Sequence, residues 1–262
     1  MASRAEIMLT WGTSTATIAR LAGAAADVLM PPLCLACRHP LAAHHAICAR
    51  CWSQIDFIRP PLCDRLGIPL PFGIGAPMIS AAAAADPPDY DRARAVARFD
   101  GVMRELVHDL KFRDRQDVRR LFGRWLAEAG AELLAEADVV IPVPLTRARL
   151  IRRRFNQAAI LAQEVARLSG RRYEPQLLLR SRRTVPQVGL SRDQRRKNVA
   201  GAFTVSPGRQ PALNGARVVL VDDVITTGAT VGACARALRR AGAAHVDVLA
   251  LAMVTDAAFL SP

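Results

Sequence analysis

The chain has 262 residues, enough for one core of ordinary size and a small additional module. A hydrophobic fraction of 51% and a mean hydropathy of +0.14 exclude an intrinsically disordered protein. The net charge of +13 predicts anionic partners, such as phosphorylated small molecules or nucleic acid. No run approaches the ~20 apolar residues that span a bilayer, and the N-terminus has no signal-peptide pattern. We therefore expect no membrane insertion and a cytoplasmic location.

The first element is an amphipathic helix predicted within residues 1–30. Its apolar residues recur at helical spacing. They are Ile18, Leu21, Ala22, Ala25 and Leu29. We expect this helix to pack on the protein rather than on a membrane.

A cysteine-rich module is expected over residues 31–72. Two Cys-x-x-Cys pairs have the spacing of a zinc ribbon. The pairs are Cys34 with Cys37 and Cys48 with Cys51. Four thiolates leave no open position on the metal, so the zinc would be structural. A disulfide framework is the alternative, and it fits poorly because nothing directs the chain to an oxidising compartment. His39, His44 and His45 could also ligate, although solvent-facing histidines are the simpler interpretation.

A third cysteine motif is incomplete. Cys63 is followed by Leu66 where a partner cysteine would stand, which leaves open whether Cys63 joins a metal site. Residues 73–90 are predicted to be a linker, and the short alanine tract Ala81–Ala85 is interpreted as part of it or as a turn.

Residues 91–258 are predicted to form an α/β domain. A helical region spans about residues 101–135, and further strands and helices alternate after it. The predicted strands are Val139–Val143 (taken as the first buried strand), Leu177–Arg180, Ala202–Val205, Arg217–Val221 and Val246–Val254, and the predicted helices are Asn156–Leu168 and Thr230–Ala241. This alternation indicates a mostly parallel, doubly wound sheet.

The most informative segment is VVLVDDVITTGAT, from Val218 to Thr230. A buried strand ends in Asp222 and Asp223, whose carboxylates can accept hydrogen bonds from a diol. The following loop offers hydroxyls, a glycine and helix N-terminal amides, which suit a phosphate. Its residues are Thr226, Thr227, Gly228, Ala229 and Thr230. A diol with a phosphate describes a ribose 5-phosphate.

This segment has two other interpretations. In receiver domains an acidic pair binds magnesium, but it follows the first strand and a lysine stands well downstream, whereas no lysine follows Asp223 here. A strand–turn–helix without any ligand is the second interpretation.

Basic residues are concentrated in two predicted loops. One holds Arg147, Arg149 and Arg152–Arg154, and the other holds Arg192, Arg195, Arg196 and Lys197. The chain contains only two lysines, Lys111 and Lys197, with arginine at the other cationic positions. Because the two side chains are not interchangeable, these lysines could contact phosphate or leaving pyrophosphate.

The segment VVLVDDVITTGAT resembles the signature of type I phosphoribosyltransferases, which bind phosphoribosyl pyrophosphate (PRPP). From about Pro31 to about Val254 the chain resembles the ComF (competence protein F) family. The matching stretches are CLAC, CARCW, IPVPLTRARLIRRRFNQ and TVPQVGLSRDQRRKNVAGAF, followed by the signature itself. That family pairs a zinc ribbon with a phosphoribosyltransferase-like domain.

The resemblance implies Mg-dependent pentosyl transfer from PRPP. Asp222 and Asp223 would bind the ribose diol, directly or through Mg²⁺, and Thr226–Thr230 the 5-phosphate. Arg147 and Lys111 would contact pyrophosphate. A lid over Thr184–Asn198, which includes Gln187, would bring Arg195 and Lys197 to the reacting centre. The candidate catalytic residues are thus Lys197, Arg195, Asp222 and Asp223.

An alternative from another functional class stays open. The family's association with DNA uptake implies a non-enzymatic adaptor that binds single-stranded DNA or DNA-uptake proteins. Trp52 and Phe57 are the stacking candidates near the ribbon, which is few for single-strand binding. The acceptor of any pentosyl transfer shows no recognisable pattern.

Overall fold

The computed structural model describes residues 31–75, 77–112, 116–146, 150–151, 155–182 and 191–255. The helix predicted within residues 1–30 lies outside these ranges. The chain divides into two compact units, residues 1–52 and residues 53–262. Among the helices of the described ranges, none combines the length and the apolarity that crossing a bilayer requires.

The described part of the smaller unit is a cysteine-bearing hairpin followed by a short helix. Leu33 and Pro40 form an antiparallel bridge, and Arg38 turns the chain with a positive φ of 65°. Helix α1, Ala49–Ser53, ends the hairpin. The described residues of this unit bury few apolar side chains, chiefly Cys34, Leu35 and Cys51.

The larger unit is built around a five-stranded parallel sheet. Its strands are β1 (Ala93–Arg98), β2 (Val139–Pro142), β3 (Arg172–Tyr173), β6 (Arg217–Ile225) and β7 (His245–Met253), and their order across the sheet is β1-β7-β6-β2-β3. The central strands β6 and β7 each contain a continuous buried apolar run, Val218–Val221 and Val248–Met253. Such strands are typical of parallel sheets that are covered on both faces. The expected mostly parallel, doubly wound sheet is confirmed.

The larger unit also contains seven α-helices whose bounds lie within the residues that the structure describes. They are α2 (Ala81–Ala85), α3 (Gly101–Phe112), α4 (Arg119–Ala129), α5 (Ala131–Glu136), α6 (Gln157–Ser169), α7 (Arg192–Val199) and α8 (Ala229–Arg240). Helix α6 begins as predicted, because the Asn156 side chain accepts a hydrogen bond from the N–H of Ala158. It ends at Gly170, whose φ of 68° favours glycine.

The strand order reverses between two neighbouring strands. From β2 the chain continues outward to β3, whereas from β6 it continues in the opposite direction to β7. The carboxyl ends of β2 and β6 therefore flank a topological switch point, the place where open α/β sheets bind ligands. Val139–Pro142 pairs with Val218–Val221, so β6 extends beyond β2 by four residues, and Asp222 and Asp223 lie in that extension.

Two short strands, β4 (Leu178–Arg180) and β5 (Phe203–Val205), pair antiparallel outside the main sheet. They flank residues 181–202, which contain helix α7. The Ser191 side chain caps this helix in a reciprocal capping box with Gln194.

Two expectations from the sequence are wrong. The first strand of the sheet is β1, not Val139–Val143. Its sequence, ARAVAR, does not resemble a buried strand because it contains Arg94. This side chain is nevertheless buried, and it forms ion pairs with Asp64 and Glu132. The tract Ala81–Ala85 is helix α2, which Ser80 caps by accepting a hydrogen bond from the N–H of Ala83. An alanine run with such a cap has good helix propensity.

Candidate ligand site and metal centre

The cysteines of the smaller unit form a metal-binding geometry. One ligand atom from each of Cys34, Cys37, Cys48 and Cys51 lies within 4.8 Å of the others. Tetrahedral Zn–S bonds of about 2.3 Å place sulfur pairs about 3.8 Å apart. The sulfurs of Cys37 and Cys48 are 3.7 Å apart. The four thiols therefore fit a structural zinc ion, and they are the only such group that the described residues form.

The electrostatics of the cluster favour a bound cation. Burial opposes ionisation of Cys34, yet backbone N–H groups, first that of Cys48, lower the pKa of Cys34 to about 6. Burial and the neighbouring thiols raise the pKa of Cys51 well above its ordinary value. Four negative thiolates this close together need a divalent ion between them.

In the larger unit, the acidic pair lies at the switch point. The N–H of Asp223 donates to Asp222 Oδ1 at 2.8 Å, which fixes the orientation of the Asp222 carboxylate. Burial, then the charge of Asp223, raises the pKa of Asp222 to about 7. Carboxylates at the carboxyl end of a parallel sheet can bind Mg²⁺ or accept hydrogen bonds from hydroxyls. The pair thus concentrates negative charge where a ligand can neutralise it.

Lys111 forms an ion pair with one of these two acids, Asp223. Its Nζ is 2.9 Å from Asp223 Oδ1, and both side chains are less than one-fifth exposed. The buried side chain of Gln157, at the start of α6, donates to the backbone carbonyl of Lys111 at 3.4 Å. Two helices therefore position the ammonium ion at the end of β6. The sequence did not indicate this contact with a carboxylate.

The predicted phosphate loop begins at Thr226, after the last residue of β6. Gly228 has a φ of 74° and precedes the first residue of α8. Its ideal Cβ position would approach the Tyr90 hydroxyl at 3.8 Å, so the backbone geometry, rather than crowding, requires glycine here. The Thr227 hydroxyl is buried and makes no hydrogen bond to any described residue. The loop thus offers an unpaired hydroxyl and the amides of a helix N-terminus to a phosphate.

Helix α7, which lies within the predicted lid, contacts this loop through one of its two predicted catalytic cations. Arg195 Nη1 donates to Thr226 Oγ1 at 3.3 Å. Lys197 lies on the same helix with an exposed side chain. Arg147 and Gln187 lie outside the described residues, as do Arg149 and Arg152–Arg154.

Sequence reasoning missed one cation of the site. Arg180, the last residue of β4, places its guanidinium 5.2 Å from the centre of the Phe203 ring. Its positive charge partly opposes the rise in the pKa of Asp222. The only signal in the sequence is a basic residue before the predicted lid, which is too common to single out.

Comparison with known proteins adds the family. Residues 25–83 match the double zinc ribbon domain, and residues 155–258 match the phosphoribosyl transferase domain. DNA utilization protein YhgH of Salmonella typhi is 34% identical over 232 residues, which cover 85% of this chain and 97% of that protein. Competence protein F of Haemophilus influenzae is 30% identical over 84% of this chain and 96% of its own length. The chain belongs to the competence protein F family.

A more distant relative shows how far the likeness extends. Competence protein ComFC of Bacillus subtilis is 26% identical over 152 residues, covering 58% of this chain and 59% of that protein. The family assignment confirms the two modules expected from the sequence, a zinc ribbon and a phosphoribosyltransferase-like domain.

Proposed function

We propose that this chain binds PRPP, or another ribose 5-phosphate, with Mg²⁺ at the carboxyl end of β6, and that it can transfer the pentosyl group. One observation carries the proposal: Asp222 and Asp223 lie at the topological switch point, a few residues before a helix N-terminus that is preceded by a left-handed glycine. The separation of a diol-binding pair from a phosphate cradle by a few residues suits the two ends of one pentose.

Each group of residues in the proposed site would have a separate role. Asp222 and Asp223 would bind the ribose hydroxyls and a magnesium ion, whose chemistry is to neutralise charge on the pyrophosphate. The Thr226–Thr230 loop would hold the 5-phosphate. Arg195 and Lys197 would approach the departing pyrophosphate as the lid closes over it and excludes water. The chain's contribution would be positional and electrostatic, with no covalent nucleophile.

Lys111 would act as a positioning residue in this site. Its ammonium ion offsets the repulsion between the paired carboxylates and holds Asp223 against α3. An arginine has a broader, planar head group and could not replace it without a shift of α3. Lys111→Arg and Lys111→Met should therefore both weaken ligand binding. Equal affinities of Lys111→Met and the parent protein would contradict the role.

Isothermal titration calorimetry with PRPP and MgCl₂ tests the proposal. Asp222→Asn with Asp223→Asn keeps the shape of the pair and removes both charges. The loss of charge-assisted hydrogen bonds should weaken binding at least about tenfold. Glu105→Gln, at an exposed position of α3, is the matched control and should bind like the parent.

A second variant separates the phosphate cradle from the diol site. Thr227→Val removes only the unpaired hydroxyl, so it should weaken PRPP and ribose 5-phosphate alike by about tenfold. No heat from either ligand with the parent protein would refute the proposal.

The titration of Asp222 predicts the pH dependence. Its folded-state pKa of about 7 lies above the ordinary value of 3.8. The group therefore contributes stability that is complete below about pH 4 and is lost as the pH rises through 7. Binding of Mg²⁺ with PRPP should instead strengthen from pH 6 to pH 8, because the ligand needs the ionised carboxylate. Asp222→Asn should flatten the protein's share of both profiles, which thermal unfolding and calorimetry at several pH values would measure.

A second candidate function has its own support. Relatives are named for DNA utilization and competence, and the net charge of +13 suits a polyanion. Under this alternative the chain is an adaptor for single-stranded DNA or DNA-uptake proteins. Fluorescence anisotropy with a labelled oligonucleotide across a salt series would test it, because phosphate contacts make affinity fall steeply with salt. Such binding without any response to PRPP would favour the adaptor.

A further inference from the structure

The larger unit contains a second ribbon, residues 60–85, that repeats the first. The segments Pro31–Leu41 (PPLCLACRHPL) and Pro60–Leu70 (PPLCDRLGIPL) are identical at six of eleven positions. Their turns also match, since Arg38 and Gly67 have φ values of 65° and 68°. The matched sequence and the matched turn make Cys63 the counterpart of Cys34.

The hydrogen bonds of the first half agree in each case. The N–H of Cys34 donates to the carbonyl of His39 at 2.8 Å, and that of Cys63 to Ile68 at 2.8 Å. The other matched pairs are Arg38 to Cys34 with Gly67 to Cys63, and Leu41 to Pro32 with Leu70 to Pro61. Each pair joins residues at the same spacing, so the two turns have the same backbone structure.

The second halves correspond as well. The N–H of Cys48 donates to Cys34 Sγ at 3.3 Å, and that of Ser80 donates to Cys63 Sγ at 3.2 Å. Helix α1 begins directly after Cys48, and α2 begins directly after Ser80. The N–H of Cys51 donates to Cys48 Sγ, and that of Ala83 donates to Ser80 Oγ. The four ligand positions of the first ribbon therefore correspond to Cys63, Leu66, Ser80 and Ala83.

This second set does not fit a zinc ion. Only Cys63 offers a thiolate, whereas Leu66 and Ala83 have no donor atom and Ser80 has a neutral hydroxyl engaged in capping α2. Structural zinc needs four nitrogen, sulfur or carboxylate ligands. Cys63 is 0% exposed, Ala83 1% and Leu66 9%, and all three belong to the hydrophobic core that contains β6 and β7.

The second ribbon instead lies against the edge of the sheet. The N–H of Ala93 in the edge strand β1 donates to the carbonyl of Arg65 at 2.8 Å. Arg94 Nη1 donates to the carbonyl of Asp64 at 2.8 Å. A Cβ atom on Gly67 would lie 2.2 Å from the carbonyl oxygen of Ala93, so the two backbones are in direct contact. Covering an edge strand prevents it from pairing with another chain.

We infer that the second ribbon folds without a metal, that it covers the start of the edge strand β1, and that the chain binds one zinc ion rather than two. The inference rests on the matched hydrogen bonds and the replaced ligands, and it does not depend on the proposed function. It departs from a double zinc ribbon, the domain that residues 25–83 match.

Metal counting by inductively coupled plasma mass spectrometry tests this directly. The purified full chain should hold one zinc per molecule. The variant Leu66→Cys with Ser80→Cys and Ala83→Cys rebuilds four thiols at the corresponding positions and should hold two. Two zinc ions in the parent chain would overturn the inference, as would a folded triple variant that still holds one.

A second measurement covers the case in which the triple variant does not fold. Cys63→Ala removes the one remaining thiol of the second ribbon, and the parent count of one zinc should not change. A fall in zinc content with this variant would mean that Cys63 ligates a metal, which contradicts the inference.

Discussion

The two ribbons have matching backbone hydrogen bonds but differ in what stabilises them. The first ends in a four-thiol cluster with Cys37 exposed, and its described residues bury few apolar side chains. The second buries Leu66 and Ile68 in the core of the sheet. Zinc supplies ~10 kcal/mol to a small ribbon, whereas each fully buried leucine or isoleucine supplies about 1.5–3 kcal/mol. A ribbon can therefore lose its metal when a neighbouring sheet offers enough apolar surface.

The largest expected effect is on the first ribbon. Cys37→Ser removes a thiolate, so zinc should be lost, and with it ~10 kcal/mol of binding free energy that holds residues 31–52 folded. Zinc content and hydrogen exchange of those residues would measure the change. The thermal midpoint of the larger unit should stay the same, because its core contains no residue of the cluster.

His39→Ala is the matched control for this prediction. His39 contributes its backbone carbonyl to the turn, and its side chain is exposed. Zinc content should remain at one per chain. Loss of zinc from His39→Ala, or full retention by Cys37→Ser, would show that the ligands are not the four cysteines.

The next effect concerns the turn of the second ribbon. Gly67→Ala places a methyl group 2.2 Å from the carbonyl oxygen of Ala93 at a positive φ. Strain and the clash together should destabilise the larger unit by about 3 kcal/mol or more, which urea unfolding would measure. Arg38→Gly, at the equivalent turn, should leave the larger unit unaffected. If Gly67→Ala were neutral, the close packing of the second ribbon on β1 would be wrong.

Much of the ligand site could be predicted from sequence because its residues are local. A buried strand, two acids, a glycine and a helix start within 13 residues determine one another's geometry, and the structure shows them in that arrangement. Contacts that come from distant segments were not predictable. Lys111 reaches Asp223 from α3, and Arg180 approaches from β4, and neither spacing along the chain carries a signal.

The second ribbon was missed for a different reason. A metal site is recognised by its ligands, and three of the four are replaced in residues 60–85. What persists is the hydrogen-bond pattern and six identical positions around Cys63, which without a complete ligand set do not indicate a fold. The edge strand β1 was missed together with it, because the partner that buries Arg94 is the Asp64 turn of that ribbon.

The smallest effect provides the most direct comparison, because one substitution can be made at both equivalent positions. Cys63→Ala removes a buried sulfur that accepts hydrogen bonds from the N–H groups of Leu66 and Ser80. Two weak bonds and a small cavity should cost about 1–2 kcal/mol in urea unfolding, without loss of zinc. Cys34→Ala makes the same chemical change in the first ribbon and should release the metal.

Comparison of Cys34→Ala with Cys63→Ala tests whether core packing has replaced the metal in the second ribbon. If metal stabilised both, the two alanine variants would each lose one zinc and destabilise their own ribbon to a similar extent. If core packing has replaced the metal in the second, only Cys34→Ala changes the zinc content, and only Cys63→Ala lowers the urea midpoint of the larger unit. A chain in which both variants retain all zinc would contradict the assignment of Cys34 as a ligand, and with it the comparison itself.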